Sequence, residues 1–392
     1  MYGDKTSWTV SDRTSFTLFA VRWSMPFARS VMDSRRRLAL RVLSEGVSVS
    51  SAAREAGISR TTAYLWLARA KEAGVGKMAE VSRRPNSSPG QIDEQIAELV
   101  TTTRAKHPNW GSRKLRAVIW PGDSAPICER TVDRILARAG LLRPVKEQPL
   151  CVGRFERDRP NELWQMDFKG LGEAPPPYKV LSVIDDCTRF NLGLEKVRAA
   201  TGELVFDSLW GVFGRYGLPD AILSDNEHCF HCRYSKGPSL LEARLWRLGI
   251  KTPHGRARHP QTQGKVERFH RTLQESVGSD LRDPVKVSQS LDCFRQEYNW
   301  VRPHEALDLA APGSVYKPSA KNRPDILPQP TYPEGADLRF VSGHGIFKYQ
   351  GRNYKAGKGL AGERVAIVHE QEQAWVHYAG VNFAKLGDTL RR

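Results

Sequence analysis

The sequence predicts a multidomain protein with an all-α N-terminal region, a mixed α/β core and a small all-β barrel at the C-terminal end. The chain of 392 residues exceeds what one compact core usually holds and suggests roughly two to four domains. Apolar residues recur at helical spacing through the first third of the chain. The last section instead alternates with the period of two that is typical of strands.

The charge balance indicates a polyanionic partner. Sixty Lys and Arg face 43 Asp and Glu, which leaves a net charge of +17, and residues 1–160 carry most of the excess. Nucleic acid is favoured over an acidic membrane, because each neutralised phosphate releases counterions. The six scattered cysteines favour a reduced cytoplasmic setting. The uncharged run TSFTLFAV near the N-terminus is too short and too polar to be a membrane anchor. Residues 1–33 are expected to be a poorly ordered extension, with Met32 as an alternative start.

Residues 34–81 are predicted to form a helix-turn-helix module. Three short helices fit residues 35–44, 49–56 and 60–73, with Gly57 in the tight turn. Ser48 and Ser59 are suitable N-caps. The third helix packs inward through Ala63, Trp66, Leu67 and Ala70 and leaves four residues for a DNA major groove, namely Arg60, Thr61, Thr62 and Tyr64. A three-helix bundle without a role at DNA is the alternative.

A second helical module is predicted for residues 91–150, after a polar linker at residues 82–90. Its helices correspond to residues 92–105, WGSRKLRAVIW and ERTVDRILARAGL, and the last carries Arg130 and Arg134 on its outer side. Two tandem DNA-binding modules would recognise a longer site than one module could.

Residues 151–310 have a mixed α/β pattern. The segments LWQMDFKGL, YKVLSVIDDC and TRFNLGLEKV read as a strand meander, followed by the helix ATGELVFDSLWGVFGRYG and the short strand DAILSDN. From Pro260 the stretch PQTQGKVERFHRTL is predicted to be an amphipathic helix with Val266, Phe269 and Leu273 as its apolar stripe. This order predicts a sheet that is covered on both faces.

The C-terminal region begins with a Pro-rich linker at residues 311–335. Residues 336–392 alternate with period two between Gly turns, which predicts a small barrel or sandwich for DNA binding or assembly. Whether its basic side chains contact phosphates or form a solvated face stays open; they are Lys348, Arg352, Lys355 and Lys358.

Three acids in the core suggest a shared metal site. Asp167 lies within an apolar strand, Asp225 ends another, and Glu267 lies beside the apolar stripe of its helix. A carboxylate in such a position is costly unless something positive compensates it, and hard oxygen ligands suit Mg²⁺. Taken singly, Asp167 could pair with a buried cation, Asp225 could start a turn, and Glu267 could pair with Arg271 in the ordinary i,i+4 manner.

Four motifs carry a resemblance to a known family: LWQMDF, LSDNEHCF, HPQTQGKVERFHRTL and YNWVRPHEAL. The core resembles the integrase catalytic domain of DDE transposases, which has a retroviral-integrase-like fold of the ribonuclease H type. Within that group the chain looks like bacterial insertion-sequence transposases that join helix-turn-helix modules to an integrase core. The resemblance spans about residues 34 to 385, and the third motif is long and specific.

The resemblance implies that Asp167, Asp225 and Glu267 are the catalytic triad and hold two Mg²⁺ ions, for which Mn²⁺ could substitute. DNA contacts are expected from the residues around Glu267, namely Gln263, Lys265, Arg268, His270 and Arg271. The implied activity is recognition of terminal inverted repeats, cleavage to expose 3′-hydroxyls and their transfer into target DNA by a homodimer or larger synaptic assembly. A catalytically inactive DNA-binding regulator and a nuclease of the same fold are the alternatives.

Two departures from the family pattern stand out. The interval between Asp225 and Glu267 is longer than usual, and Glu227 replaces the usual Gly. The nearby HCFHC stretch offers zinc-ligand types, but four ligands so close in sequence rarely surround one ion, and chance is the favoured explanation. Asp185 and Asp186 are expected to be turn or strand-end residues. The YNWVRPHEAL segment is expected to pack the core, with Arg302 and His304 as further DNA contacts.

Overall fold

A computed structural model describes residues 31–78, 91–122, 124–142, 156–170, 178–224, 237–253, 264–370 and 373–389. The chain divides into two compact units, Met1–Gln91 and Ile92–Arg392, and each is described by itself. Across the described stretches, no helix has the length and apolar character needed to span a membrane.

The described part of the first unit is a three-helix module. It contains α1 (Val31–Leu43), α2 (Val49–Glu55) and α3 (Arg60–Ala73). Both expected N-caps form: the Ser48 hydroxyl accepts from the Ser51 backbone N–H at 3.3 Å, and the Ser59 hydroxyl accepts from the Thr62 N–H at 3.1 Å. Gly57 adopts the positive φ of 68° that its turn requires. The helices share a core that includes Leu38, Ala39, Ala52, Ala53, Ala63, Leu67 and Ala70.

The second unit begins with another three-helix module, formed by α4 (Glu94–Lys106), α5 (Ser112–Ile119) and α6 (Glu129–Arg138). Its core contains Val100, Trp110, Leu115, Val132, Ile135 and Leu136. The buried Arg104 donates to the carbonyl oxygens of Trp110 and Leu141. The helical N-terminal region is therefore confirmed.

The core is built on a four-stranded mixed sheet. It contains β1 (Trp164–Lys169), β2 (Lys179–Asp185), β3 (Asn191–Val197), then α7 (Gly202–Tyr216) and β4 (Ile222–Ser224). The strand order is β3-β2-β1-β4. The first three strands form an antiparallel meander, and β4 runs parallel to β1 on its other side.

Helices cover both faces of this sheet, as the sequence predicted. Met166 and Phe168 pack with α7 and with α8 (Leu240–Arg247) in one hydrophobic cluster. Val180, Ile184 and Leu194 pack on the other face with α9 (Gly264–Val277) and α10 (Val287–Trp300). Because side chains alternate along a strand, β1 presents its odd-numbered residues to the face that α9 covers.

The Pro-rich segment after the core is packed against it and is not a free linker. It forms α11 (Pro312–Val315), and the Tyr316 ring stacks on Phe190 with 4.3 Å between centroids. Ser319 N–H donates to the Tyr216 carbonyl, and Leu218 N–H donates to the Lys321 carbonyl. Proline removes backbone donors but leaves carbonyl acceptors, so such a segment can still be tied down by hydrogen bonds.

The C-terminal region is all-β, but the predicted closed barrel is not confirmed. Its strands are β5 (Asp337–Phe340), β6 (Ile346–Tyr349), β7 (Arg352–Lys355), β8 (Arg364–Glu370), β9 (Gln373–Tyr378) and β10 (Val381–Lys385). One sheet has the order β10-β9-β8-β5, and β6 and β7 form a separate hairpin. In the described residues, the four-residue strands β6 and β7 pair only with each other, so hydrogen bonding does not close the sheet. The two sheets instead share a core that includes Val341, Phe347, Tyr354, Val365 and Val376.

Candidate active site

Asp167 and Glu267 lie on elements that pack against each other. Asp167 is in the middle of β1, between the inward-facing Met166 and Phe168, and therefore faces the side that α9 covers. Glu267 lies in the first turn of α9 and is exposed. The alternative pairing of Glu267 with Arg271 does not form, and within the described stretches Glu267 has no hydrogen bond or ion pair. Its carboxylate is available for another partner.

The third acid, Asp225, lies outside the described residues, as do Glu227, the HCFHC stretch and Gln263. The strand β4 ends at Ser224, whose Cα is paired in register with Met166, the neighbour of Asp167. No group of three acid, His or Cys side chains that could hold a metal occurs among the described residues. The triad therefore stays a prediction.

His270 links α9 to the backbone of Asp167. Its Nε2 lies 2.6 Å from the Ser182 hydroxyl, and that hydroxyl donates to the Asp167 carbonyl at 3.1 Å. Since the Ser182 proton is used in that bond, the imidazole donates through Nε2. Its Nδ1 is then an acceptor, 3.6 Å from Oδ2 of Asp167. Burial, helped by the charge of Lys169, lowers the pKa of His270 to about 4, so this is a contact of a neutral ring and not an ion pair.

Lys265 is anchored by a buried acid. Its Nζ lies 2.6 Å from Oδ2 of Asp186 and also donates to the Asp186 carbonyl at 2.9 Å. Asp186 is fully buried and accepts further bonds from Gln165 Nε2 and the Arg157 N–H. Burial lowers the pKa of Lys265 even though Asp186 opposes this shift. The pair fixes the first turn of α9, two residues before Glu267.

Asp185, at the end of β2, is also a structural acid. Its carboxylate accepts from the Thr188 N–H, the Thr188 hydroxyl and the Asn161 N–H. Burial raises its pKa, and these hydrogen bonds oppose the rise. These contacts fit the expected strand-end role.

The YNWVRPHEAL segment packs against the sheet as expected. Asn299 accepts from the Asn191 N–H at 2.8 Å and donates to the Asn191 carbonyl at 2.9 Å. This side chain therefore completes backbone hydrogen bonding at the edge strand β3.

Most of the predicted DNA contacts are accessible. The exposed ones are Arg60, Thr61, Tyr64, Arg130, Arg134, Arg268 and Arg271. Thr62 is half-buried, and its hydroxyl lies 2.8 Å from that of Ser59. Lys265 and His270 do not lie on that accessible surface, because Asp186 and Ser182 hold them in buried contacts. This placement does not favour direct phosphate binding by either residue, and their contact with DNA stays a prediction.

The donor set suits a hard divalent cation. Asp167 and Glu267 contribute carboxylate oxygens, which Mg²⁺ prefers, and the Nδ1 lone pair of His270 faces the Asp167 carboxylate. Lys265, the ammonium nearest to Glu267 in sequence, is committed to Asp186 and does not neutralise these acids. The sequence alone did not identify Ser182 and Asp186 as residues that hold α9 in place. For Ser182, the alternation of side chains along β2 is the sequence signal that places it on the same face of the sheet as Asp167.

Models of known families match several stretches of the chain. Two models described as integrase core domain match residues 157–260 and 248–312. A helix-turn-helix domain model matches residues 34–85, and a homeodomain-like domain model matches residues 62–136. The chain carries helix-turn-helix domains and an integrase core domain. The resemblance to DDE transposases with helix-turn-helix modules is thereby confirmed.

Individual relatives come from both viruses and bacteria. The chain is 28% identical over 172 residues to the Gag-Pol polyprotein of baboon endogenous virus (strain M7). This alignment covers 43% of this chain and 10% of that protein. It is 25% identical over 267 residues to "Putative transposase y4bF" of Sinorhizobium fredii, covering 65% of this chain and 58% of that protein. The crystal structure of the catalytic core domain of BIV integrase matches at 23% identity with a TM-score of 0.32, over 40% of this chain and 93% of that one. The chain thus spans 10% of the viral polyprotein and 58% of the bacterial protein.

Proposed function

We propose that the protein is a DNA transposase of a bacterial insertion sequence. It would bind the terminal inverted repeats through its helix-turn-helix domains, cleave phosphodiesters to expose 3′-hydroxyls and transfer these into target DNA. The observation that carries the proposal is the placement of Glu267, exposed and without a partner among the described residues, on the helix that packs over the Asp167 side of the sheet. Asp225, which follows β4 in the sequence, would complete the triad.

The residues that would hold the metal are Asp167, Asp225 and Glu267, with two Mg²⁺ ions or Mn²⁺ in their place. When bound, such a pair of ions activates the attacking oxygen and stabilises the leaving oxygen of an in-line displacement. The chain itself supplies alignment. The Lys265–Asp186 pair fixes the start of α9, and the His270–Ser182 contact holds the next turn of α9 against the backbone of Asp167. Arg268 and Arg271, exposed on the same helix, would hold the DNA backbone.

Transposition joins two element ends, so the working form would be a homodimer or a larger synaptic assembly on double-stranded DNA. A bacterial protein with this activity would work in the cytoplasm, at the nucleoid. The strongly basic stretch of residues 1–160 supports DNA as the partner.

The test is a nicking and joining assay on DNA that carries the element ends, with and without Mg²⁺. We expect metal-dependent nicking and joined products from the native protein, and loss of both by at least about a hundredfold in Glu267→Gln, as for removal of a key transition-state group. Glu203→Gln is the matched control, because Glu203 is also an exposed acid in a first helical turn, but on α7 across the sheet. Nicking without joining would instead show a nuclease, and DNA binding without either would show a regulator.

A further inference from the structure

We propose that Lys114 and Arg302 form a binding site for a backbone phosphate of the DNA substrate, where the second three-helix module contacts the core. The site rests on the proposed function, since the phosphate belongs to the DNA strand that would approach Glu267. Arg302 lies in the YNWVRPHEAL motif, from which a DNA contact was already expected, whereas no motif assigns Lys114. The sequence did not predict that the two side chains share one phosphate.

The module and the core meet through specific contacts. His107 Nδ1 lies 3.1 Å from Oε1 of Glu297 on α10, and Asn109 Nδ2 donates to the Glu275 carbonyl on α9 at 2.6 Å. The Arg302 guanidinium lies over the Trp110 ring, 6.0 Å from its centroid. These contacts place the segment that leads into α5 beside the two helices that cover the Asp167 face.

Arg302 is a buried cation without an ion pair among the described residues. It is only 6% exposed, and in the described part of the chain its guanidinium has no hydrogen bond and no carboxylate within ion-pair distance. It lies over the Trp110 ring, and the carboxylates of Glu297 and Glu275 act on it only at longer range. Its neighbour His304 has a buried Nε2 that also lacks a partner among the described residues. A buried charge without compensation is costly, so this arrangement favours a bound anion. A guanidinium matches phosphate oxygens well because it can donate two parallel hydrogen bonds.

Lys114, in α5, adds a second cation to the same place. Burial and the like charges of Arg302 and Arg268 lower the pKa of Lys114 to about 8, and Glu305 and Glu275 only partly oppose them. Lys114 forms no ion pair with a carboxylate in the stretches that the structure describes. The three cations therefore repel each other in the free protein, and a phosphate would relieve that repulsion. Arg268 directly follows Glu267, so a strand held here leads to the candidate active site.

Acetylation footprinting on the full chain tests this site. At about pH 8, an amine with a lowered pKa reacts faster than an ordinary lysine amine. The protein is acetylated briefly with and without a saturating mixed-sequence DNA duplex, and each lysine is quantified by peptide mass spectrometry. We expect DNA to protect Lys114 and to leave Lys286 unchanged. Lys286 precedes the N-terminal end of α10, whereas Arg302 follows its C-terminal end. At the rise of an α-helix the two residues are roughly 20 Å apart. Equal acetylation of Lys114 with and without bound DNA would overturn the proposal.

The salt dependence of duplex binding gives a second readout. In Lys114→Ala the plot of log affinity against log salt concentration should become shallower by about 0.9, which corresponds to the loss of one phosphate contact. In Lys114→Arg the slope should equal that of the native protein. Arg302→Lys retains the positive charge but not the paired hydrogen-bond donors of the guanidinium. It should therefore weaken DNA binding less than Arg302→Ala. An unchanged slope in Lys114→Ala contradicts the site. If these results hold but the protein neither nicks nor joins DNA, the proposed transposase activity fails and the phosphate site stands.

Discussion

Lys265 and Asp186 form a buried ion pair at the first turn of α9, with 2.6 Å between Nζ and Oδ2. The pair joins the end of β2 to the helix that carries Glu267. A lysine expected to hold DNA therefore acts in the structure as an anchor for the candidate active-site helix.

Removing one partner of this pair should cost stability. In Lys265→Met the fully buried Asp186 carboxylate loses its ammonium partner, and we expect the free energy of unfolding to fall by about 3–5 kcal/mol. Urea denaturation measures this, with Lys286→Met as the exposed control. A single variant as stable as the native protein would show that the pair does not anchor the helix.

Acid should destabilise the protein through His270. The unfolded imidazole binds its proton below its ordinary pKa of 6.5, whereas the buried ring does so only below about 4. Between these values the unfolded state binds more protons, so stability falls as the pH is lowered from 6.5 to 4, by up to roughly 3 kcal/mol. In His270→Gln this part of the pH dependence should be absent from unfolding curves, whereas the exposed-site variant His369→Gln should retain it. The same slope in all three proteins would contradict the neutral, buried state of His270.

Two glycines of one helical segment should respond to alanine in opposite directions. Gly217 has a φ of 76°, and a Cβ there would lie 2.7 Å from the Ser319 carbonyl oxygen. Gly217→Ala should therefore destabilise by about 2 kcal/mol or more. Gly211, within α7, has open space around its Cβ position, and Gly211→Ala should stabilise by about 0.5–1 kcal/mol. Thermal unfolding distinguishes the two, and equal shifts would refute the packing of the Pro-rich segment on this turn.

Asn299 should be essential for the edge strand β3. Asn299→Ala leaves the buried N–H and carbonyl of Asn191 without their partners, which we expect to cost about 2–4 kcal/mol. Amide hydrogen exchange should show faster exchange at Asn191 in the variant. The exposed Asp292→Ala on the same helix serves as control. Slow exchange retained at Asn191 would show that another group satisfies this backbone.

The helices and the meander were predictable because their signals are local. Ser48 and Ser59 are caps that act on the next turn, and the apolar stripe of Val266, Phe269 and Leu273 is buried as expected. The helical cover of both faces follows from similarly clear patterns.

The contacts of individual charges could not be predicted in the same way. Lys265 and Arg271 both read as exposed cations on one helix, yet only the fold brings Asp186 to Lys265. The barrel was expected from strand alternation, which does not specify how β6 and β7 pair. The contact of the Arg302 guanidinium with the Trp110 ring likewise depends on a module that lies far away in the sequence.

The most direct test of the proposed metal site is a crystal structure of the protein grown with Mn²⁺, with the ions located by anomalous scattering. We expect Mn²⁺ to be bound by the carboxylates of Asp167, Asp225 and Glu267, at about 2.0–2.3 Å from their oxygens. Ordered Mn²⁺ elsewhere, with the three carboxylates too far apart to share an ion, would contradict it.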